Sequence, residues 1–322
     1  MALRTRLTER LRIRHPILQS PMASIAGGRL AGAVSAAGAF GMLGVGRGHT
    51  PGFLDREFPL AGNHRVGVGF ITWGLEAQPQ LLDAAIACAP PAIMLSFGDA
   101  KPYIPRIRSA GILAICQIHN VEMARAVLAQ GTDIVIAQGA EAGGHGMSQR
   151  STFPLVPAVV DLAARENPEA VVVAPGGIAD GRGLAAALML GAEGVLIGSR
   201  FAASDECLLD DRSLARMVEA GGDETLRSNV FEVVRNSLWP TEFTPRAVAN
   251  AMSDEWQDRQ DELARNTAAK ARYAAAQATG DFAYRTVWAG ETLDMIHDVQ
   301  PAGAIVERLV GEAVEVLARR FD

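Results

Sequence analysis

The sequence predicts an α/β chain of the (β/α)8, or TIM-barrel, type, with a helical insertion after the last strand and a C-terminal helix. Three observations lead there. Eight short β-type runs recur through the first two-thirds of the chain. Most are continuously apolar rather than alternating, as expected of parallel strands buried on both faces. Ala/Leu-rich stretches of helical periodicity lie between many of them. A length of 322 residues admits one such barrel or two ordinary domains, and 49% hydrophobic against 20% charged residues favours one compact body with a large core. An open doubly wound sheet uses the same alternation and is the alternative. Strand count favours the barrel, as does the missing G-x-G-x-x-G opening: Gly67-Val68-Gly69 has no third glycine and runs on into Phe70-Ile71-Thr72.

In order, the runs cover 17–20, 41–45, 66–71, 92–96, 112–118, 134–138, 171–174 and 195–198. Helical patterns fill 28–37, 77–87, 121–130, 155–165 and 183–190, several closed by glycine or followed by proline, as helix C-termini are. Beyond Gly198 the pattern changes. Residues 204–284 carry more charge, few β-type runs and long helical stretches such as 247–278. They read as a helical lid, because an insertion of that length over a barrel mouth can shield a reaction from water. A final amphipathic helix over 302–319, with Ile305, Leu309, Val310, Ala313 and Leu317 near helical spacing, is expected to pack back on the barrel. The expected division is 1–203 for the cofactor-binding barrel, 204–290 for the lid and 291–322 for the C-terminal segment.

A net charge of −6, with no Lys/Arg stripe interleaved with aromatics, gives no basic field for a nucleic-acid backbone. Cys88, Cys116 and Cys207 are widely spaced, without the C-x-x-C of a zinc or redox pair, and read as reduced thiols. No His/Asp/Glu group has metal-ligand spacing, so no metal is expected, and no G-x-S-x-G elbow points to a hydrolase. The first ten residues are charged and lack the apolar core of a signal peptide, and no apolar run approaches the roughly 20 residues of a membrane span. A cytoplasmic protein is the expectation.

In a βα barrel the residues closing each strand meet at one mouth. The sixth run closes in Gln138-Gly139-Ala140-Glu141-Ala142-Gly143-Gly144-His145-Gly146. Its glycines permit positive φ and close backbone approach, and His145 brings the side chain that titrates near neutrality. Ser20-Pro21-Met22-Ala23 closes the first run, Gly69 to Thr72 the third, Ser96-Phe97-Gly98 the fourth and Gln117 to His119 the fifth. The seventh and eighth end in Ala174-Pro175-Gly176-Gly177-Ile178 and Ile197-Gly198-Ser199-Arg200, paired glycine turns of the kind whose N–H groups hold a phosphate. A flat phosphorylated cofactor across the mouth suits this set, and FMN fits best. Its ring would lie over the Ser20-Pro21-Met22-Ala23 backbone, with Gln117 and Gln138 at its polar edge. The simpler alternatives stay open: Gly176 and Gly198 as plain tight turns, the glutamines as ordinary polar strand ends. His49 and His119 lie just beyond strand ends, where they could line the mouth or cap it. His15 and His64 read as turn residues at the far end of the barrel, and His297 lies in a polar segment.

The sixth, seventh and eighth strand ends, with Pro16-Ile17-Leu18-Gln19-Ser20-Pro21-Met22 and Trp288-Ala289-Gly290, resemble the nitronate monooxygenase family over nearly the whole chain. The resemblance implies an FMN-dependent barrel that oxidises alkyl nitronates with O2 to carbonyl compounds and nitrite, with neutral nitroalkanes as further substrates. It makes His145 the active-site residue, taking a proton from a nitroalkane or, when protonated, stabilising an anionic nitronate. The expected cofactor contacts are Ser20, Pro21, Met22, Ala23, Gly69, Gln117, Gln138, Gly143, Gly144, Gly176, Gly177, Gly198 and Ser199. The chain departs from the family where many relatives carry Asn and it has Gly69, and where many carry a basic residue and it has Met147-Ser148-Gln149. Two other readings stay open: an NAD(P)H-dependent flavin reductase acting on quinones or enoyl thioesters, and a non-catalytic barrel binding a phosphate ligand. Expected partners are a small molecule and O2, with NAD(P)H in the alternative; a homo-oligomer is left open, and neither nucleic acid nor membrane is expected.

Overall fold

A computed structural model describes residues 3–237 and 239–319; Met1, Ala2, Leu238 and 320–322, which include the ends of both expected terminal segments, lie outside the described residues. Eight parallel strands form the barrel: Ile17–Gln19, Met42–Val45, Gly67–Ile71, Ala92–Ser96, Leu113–Ile118, Ile134–Ala137, Val171–Pro175 and Val195–Ile197. Each lies within one residue of its predicted run. The ladders follow chain order from the second strand, Met42 opposite Gly67, round to the eighth, which pairs with the first with Val195 opposite Ile17. Phe40 closes the circle: its N–H donates to the Ile17 carbonyl and its carbonyl accepts from Gln19 N–H, both at 2.9 Å.

Inside the barrel Leu18, Met42, Met94, Ile115, Ile136, Val173 and Leu196 pack into an apolar plug, and Leu7 and Leu11 of helix Arg6–Leu11 seal its lower end. The alternate residues of the same strands, such as Ile17, Val135, Val172 and Val195, face outward onto the helices. Both faces are therefore buried, which is why the runs read as continuously apolar. The interior is filled, so a ligand can enter only at the mouth.

Helix starts are set locally. Asn120 caps Val121–Ala129 by accepting from Met123 N–H at 2.8 Å, and Asp180 caps Gly181–Met189 by accepting from Arg182 and Gly183 N–H. The C-terminal helix Ala302–Leu317 buries Ile305, Leu309, Val310 and Ala313 and packs on Gly181–Met189. A Cβ on Gly181 would stand 2.3 Å from Glu312 Cβ, so the crossing requires glycine there.

The expected helical stretch over 247–278 is not one helix. Ala247 and Val248 end the strand Thr244–Val248, and three helices follow: Ala251–Trp256, Gln260–Arg265 and Thr267–Thr279. The breaks are chemical. Asn250 accepts from Met252 and Ser253 N–H, and Asn266 from Ala269 N–H, so each asparagine starts a new helix where an uninterrupted one would pass through it. The insertion also holds β structure. Thr225–Arg227 and Thr244–Val248 pair antiparallel, and the second strand pairs in turn with Gly144–Gly146, giving a three-stranded sheet that joins insertion and barrel. The register sets Pro245 opposite His145.

Candidate active site

A cavity of about 810 Å³ opens at the C-terminal ends of the barrel strands. Its wall includes Ser20, Pro21, Met22 and Ala23 after the first strand, Gln117 and Gln138 after the fifth and sixth, and Gly143, Gly144 and His145 in the turn beyond. Gly176, Gly177, Gly198 and Ser199 complete that side. Of the residues singled out in the sequence, Gly69 stands apart. A Cβ there would lie 2.1 Å from Pro21 Cγ, so Gly69 packs beneath the first-strand turn and supports the cavity floor instead of lining it. His49 also reaches the wall. His119 is buried against Phe97 and Phe243 behind it.

The turn carrying His145 is held by its neighbours' polar groups. Glu141 accepts from Thr152 N–H at 2.9 Å, and Thr152 Oγ1 donates to the Pro175 carbonyl at 2.9 Å, tying the sixth-strand turn to the seventh. Gln138 Nε2 donates to the His145 carbonyl at 2.8 Å, so one expected cofactor contact uses its donor on its own turn. Gly143 has no positive φ; a Cβ on it would stand 2.4 Å from Gly290 N, so it is small because two backbones touch. Gly144 (φ +66°) takes the left-handed conformation.

Arg227, from the insertion, holds the turn most firmly. Its guanidinium donates to the carbonyls of Ala140 (2.8 Å), Ala142 (2.6 Å) and Gly146 (3.2 Å), and to those of Gly144 and Thr244. Arg246 lies opposite it in the hairpin, reaching the Ala140 carbonyl at 3.4 Å and Glu291 at 2.7 Å. Two like charges face to face are costly in a sheet, and here they share the Ala140 carbonyl while Glu291 offsets the pair. Burial first, then Arg246, brings the Arg227 pKa down to about 10, so it is charged at neutral pH.

His145 stacks on the Trp239 ring, with centroids 3.4 Å apart and planes 7° from parallel, and Trp288 stands 5.8 Å away. Its Nε2 lies 3.1 Å from Glu232 Oε1, which also accepts from Arg235 Nη2 at 2.5 Å. Burial lowers the His145 pKa and outweighs the raising effect of Glu232. Burial pushes the Glu232 carboxyl up, but the hydrogen bonds from His145 and Arg235 overcome it and hold the carboxyl at about 2. His119, stripped of water and facing Arg227, falls to about 3 and is neutral. Ser96 Oγ donates to Gln117 Oε1 at 3.3 Å, and the Gln117 amide nitrogen is 3.4 Å from His119 Nε2.

Sequence reasoning found His145 but not Glu232, Arg227, Trp239 or Trp288 as its neighbours. One signal was available for Glu232: it is a lone carboxylate inside the apolar run Val230-Phe231-Glu232-Val233-Val234. Arg227 had none, because its role depends on strand pairing.

The chain is similar to known proteins over nearly its whole length. A family model described as nitronate monooxygenase matches residues 4–58 and 75–312, and the unmatched 59–74 contains the third strand and Gly69. A nitronate monooxygenase of Neurospora crassa is 33% identical over 343 residues, spanning 93% of this chain and 89% of that protein. FabK from Thermotoga maritima superposes with a TM-score of 0.84 at 29% identity, covering 98% of this chain and 97% of that one. The nitroalkane oxidase from Streptomyces ansochromogenes gives 0.80 at 26% identity, covering 97% and 99%. Among the described residues no helix is long and apolar enough to cross a membrane. The chain belongs to the nitronate monooxygenase family and is an oxidoreductase built on a (β/α)8 barrel.

Proposed function

We propose that the protein is an FMN-dependent enzyme that oxidises alkyl nitronates, and through His145 neutral nitroalkanes, with O2 to carbonyl compounds and nitrite. One observation carries the reading: His145 and the two glycine turns, Gly176-Gly177 and Gly198-Ser199, line the same cavity. The donors suit a phosphate. Gly176 (φ +95°) and Gly177 (φ +71°) are successive left-handed residues, and among the described residues their N–H groups donate to no protein acceptor. A Cβ on Gly198 would meet only Met22 Sδ at 3.7 Å and Ser20 Cβ at 3.8 Å, so its free side faces a potential ligand. Gly176, Gly177, Gly198 and Ser199 would hold the phosphate, and Ser20 to Ala23 would lie under the ring. Bound flavin supplies a two-electron oxidant that O2 restores. His145 contributes by taking the α-proton of a nitroalkane or by stabilising nitronate charge as imidazolium. Residues 1–203 would then hold cofactor and base, 204–290 would cover them and 291–322 would brace the barrel.

The test is the visible spectrum of the purified protein, followed by anaerobic mixing with propionate 3-nitronate and, separately, with NAD(P)H. Flavin bleaching by the nitronate alone is the expected result. Bleaching by NAD(P)H only would make it a reductase, and colourless protein that takes up no FMN would reject both. His145→Asn should keep the flavin and lose on the order of 10²-fold in turnover; unchanged turnover would remove His145 from the mechanism.

A further inference from the structure

We propose that Glu232 fixes the tautomer of His145, holding its proton on Nε2 so that Nδ1 is the atom that receives the substrate's proton. The proposal rests on His145 as the base of the reading above. An ionised carboxylate only accepts hydrogen bonds, so across the 3.1 Å contact to Glu232 Oε1 the donor must be His145 Nε2. In a neutral imidazole the lone pair then sits on Nδ1. Among the described residues Nδ1 hydrogen-bonds no protein group, and His145 lines the cavity. Glu232 itself is buried, at 5% exposure, and Arg235 keeps it ionised from 2.5 Å. The ring plane is set by the parallel Trp239, and the backbone by Gln138 and by the pairing with Pro245. The charged groups facing His145 are Glu232 and Arg235 from helix Val230–Val234 and its end, and Arg227 from Thr225–Arg227; His119 on the barrel side is neutral.

In the step, the α-C–H bond of a neutral nitroalkane breaks and an N–H bond forms at Nδ1. The electron pair stays on the substrate, which becomes the nitronate. The imidazolium now donates through Nε2 to a carboxylate, a stronger bond than before, and the proton is not passed on to Glu232. A nitronate supplied ready-made skips this step. Glu232 is thus a positioning residue whose loss penalises one substrate class over the other.

The test is Glu232→Gln, which keeps the size and leaves an oxygen for Arg235 but removes the charge. In flavin-loaded protein, kcat/KM for a nitroalkane should fall relative to that for its nitronate by on the order of 10²-fold. The acid limb of the nitroalkane pH profile should move to lower pH, and Glu232→Asp should recover part of the loss. Independently, 15N spectra of histidine-labelled holoprotein, with His145 assigned by its absence in His145→Asn, should show protonated Nε2 and bare Nδ1 in the wild type. That preference should weaken in Glu232→Gln, whose neutral oxygen is the poorer acceptor, and be lost in Glu232→Leu, which has none. A proton on Nδ1 in the wild type overturns the proposal, as does a flavin-loaded Glu232→Gln with unchanged substrate ratio and pH profile. If the wild type oxidises neither substrate, the functional reading fails on its own, while the spectrum still decides the tautomer.

Discussion

The barrel and the insertion meet at His145 and contribute to it in different ways. The barrel supplies position: the sixth strand ends, Gln138 and the Glu141–Thr152 pair anchor the turn, and the backbone delivers the histidine to the mouth. The insertion supplies environment, since Arg227 neutralises the turn's carbonyls, Glu232 meets the imidazole and Trp239 covers its face. The difference teaches that a side chain at a barrel mouth can be placed by one layer of a protein and tuned by another. Damage to each layer should therefore look different.

The largest effect should come from Arg227→Met. It removes the Arg227 donors from the carbonyls of half-buried Ala140 and Ala142 and of buried Gly146, leaving Ala140 only the longer contact from Arg246; an unsatisfied carbonyl costs about 1–3 kcal/mol, in part offset by water. A loss of about 3 kcal/mol in denaturant unfolding is expected, with slower flavin bleaching by substrate. Arg246→Met gives up two long contacts to the Ala140 carbonyl and an ion pair with the half-exposed Glu291, and should cost clearly less. Equal costs for the two arginines, both under about 1 kcal/mol, would mean that the barrel holds the turn without the insertion.

The same contrast explains what could be read from the chain. All eight strands were legible because burial on both faces writes a continuous apolar run, and strand ends could be named once the runs were counted. His145 and the wall glycines followed from that counting. Gly69 packs one layer below the cavity wall, and a strand-end glycine looks the same in sequence whether it faces a ligand or a proline such as Pro21. The insertion reads as helix over 247–278 because Ala-rich stretches outweigh the capping power of Asn250 and Asn266 in any pattern average. The Gly144–Gly146 strand and its partner Thr244–Val248 lie about a hundred residues apart, and no local period predicts such a pairing.

A smaller effect, confined to the barrel, is expected from Gly177→Val. The new Cβ would meet Glu141 Cγ at 3.2 Å, a neighbour that can give way, so the fold should survive. The positive φ costs a β-branched residue about 1–2 kcal/mol, and its methyls would crowd any phosphate this turn holds. Purified protein should carry less flavin, with affinity reduced about tenfold or more, while added flavin restores His145-dependent turnover. Normal flavin content would count against the phosphate role of this turn and leave the His145 assignment intact.

The mildest change tests whether burial behind the cavity wall, with the Arg227 charge added, holds a histidine neutral. His119 is neutral at a pKa of about 3 through burial first and Arg227 second, against 6.5 when exposed. Because its folded value is depressed, its contribution to stability is complete above about pH 6.5 and is lost as pH falls toward 3: the unfolded chain takes up a proton that the folded one refuses. His119→Phe, packed between Phe97 and Phe243, should leave stability near pH 7.5 within about 1 kcal/mol. At pH 5 the variant should retain about 2 kcal/mol that the wild type has lost. Glu232, lowered from 4.5 to about 2, begins to lose its contribution only below about pH 4.5, so it adds little to the change between pH 7 and 5. A wild type whose unfolding free energy is flat between pH 7 and 5, or a variant that follows the same slope, would mean that His119 takes its proton inside the fold despite its burial.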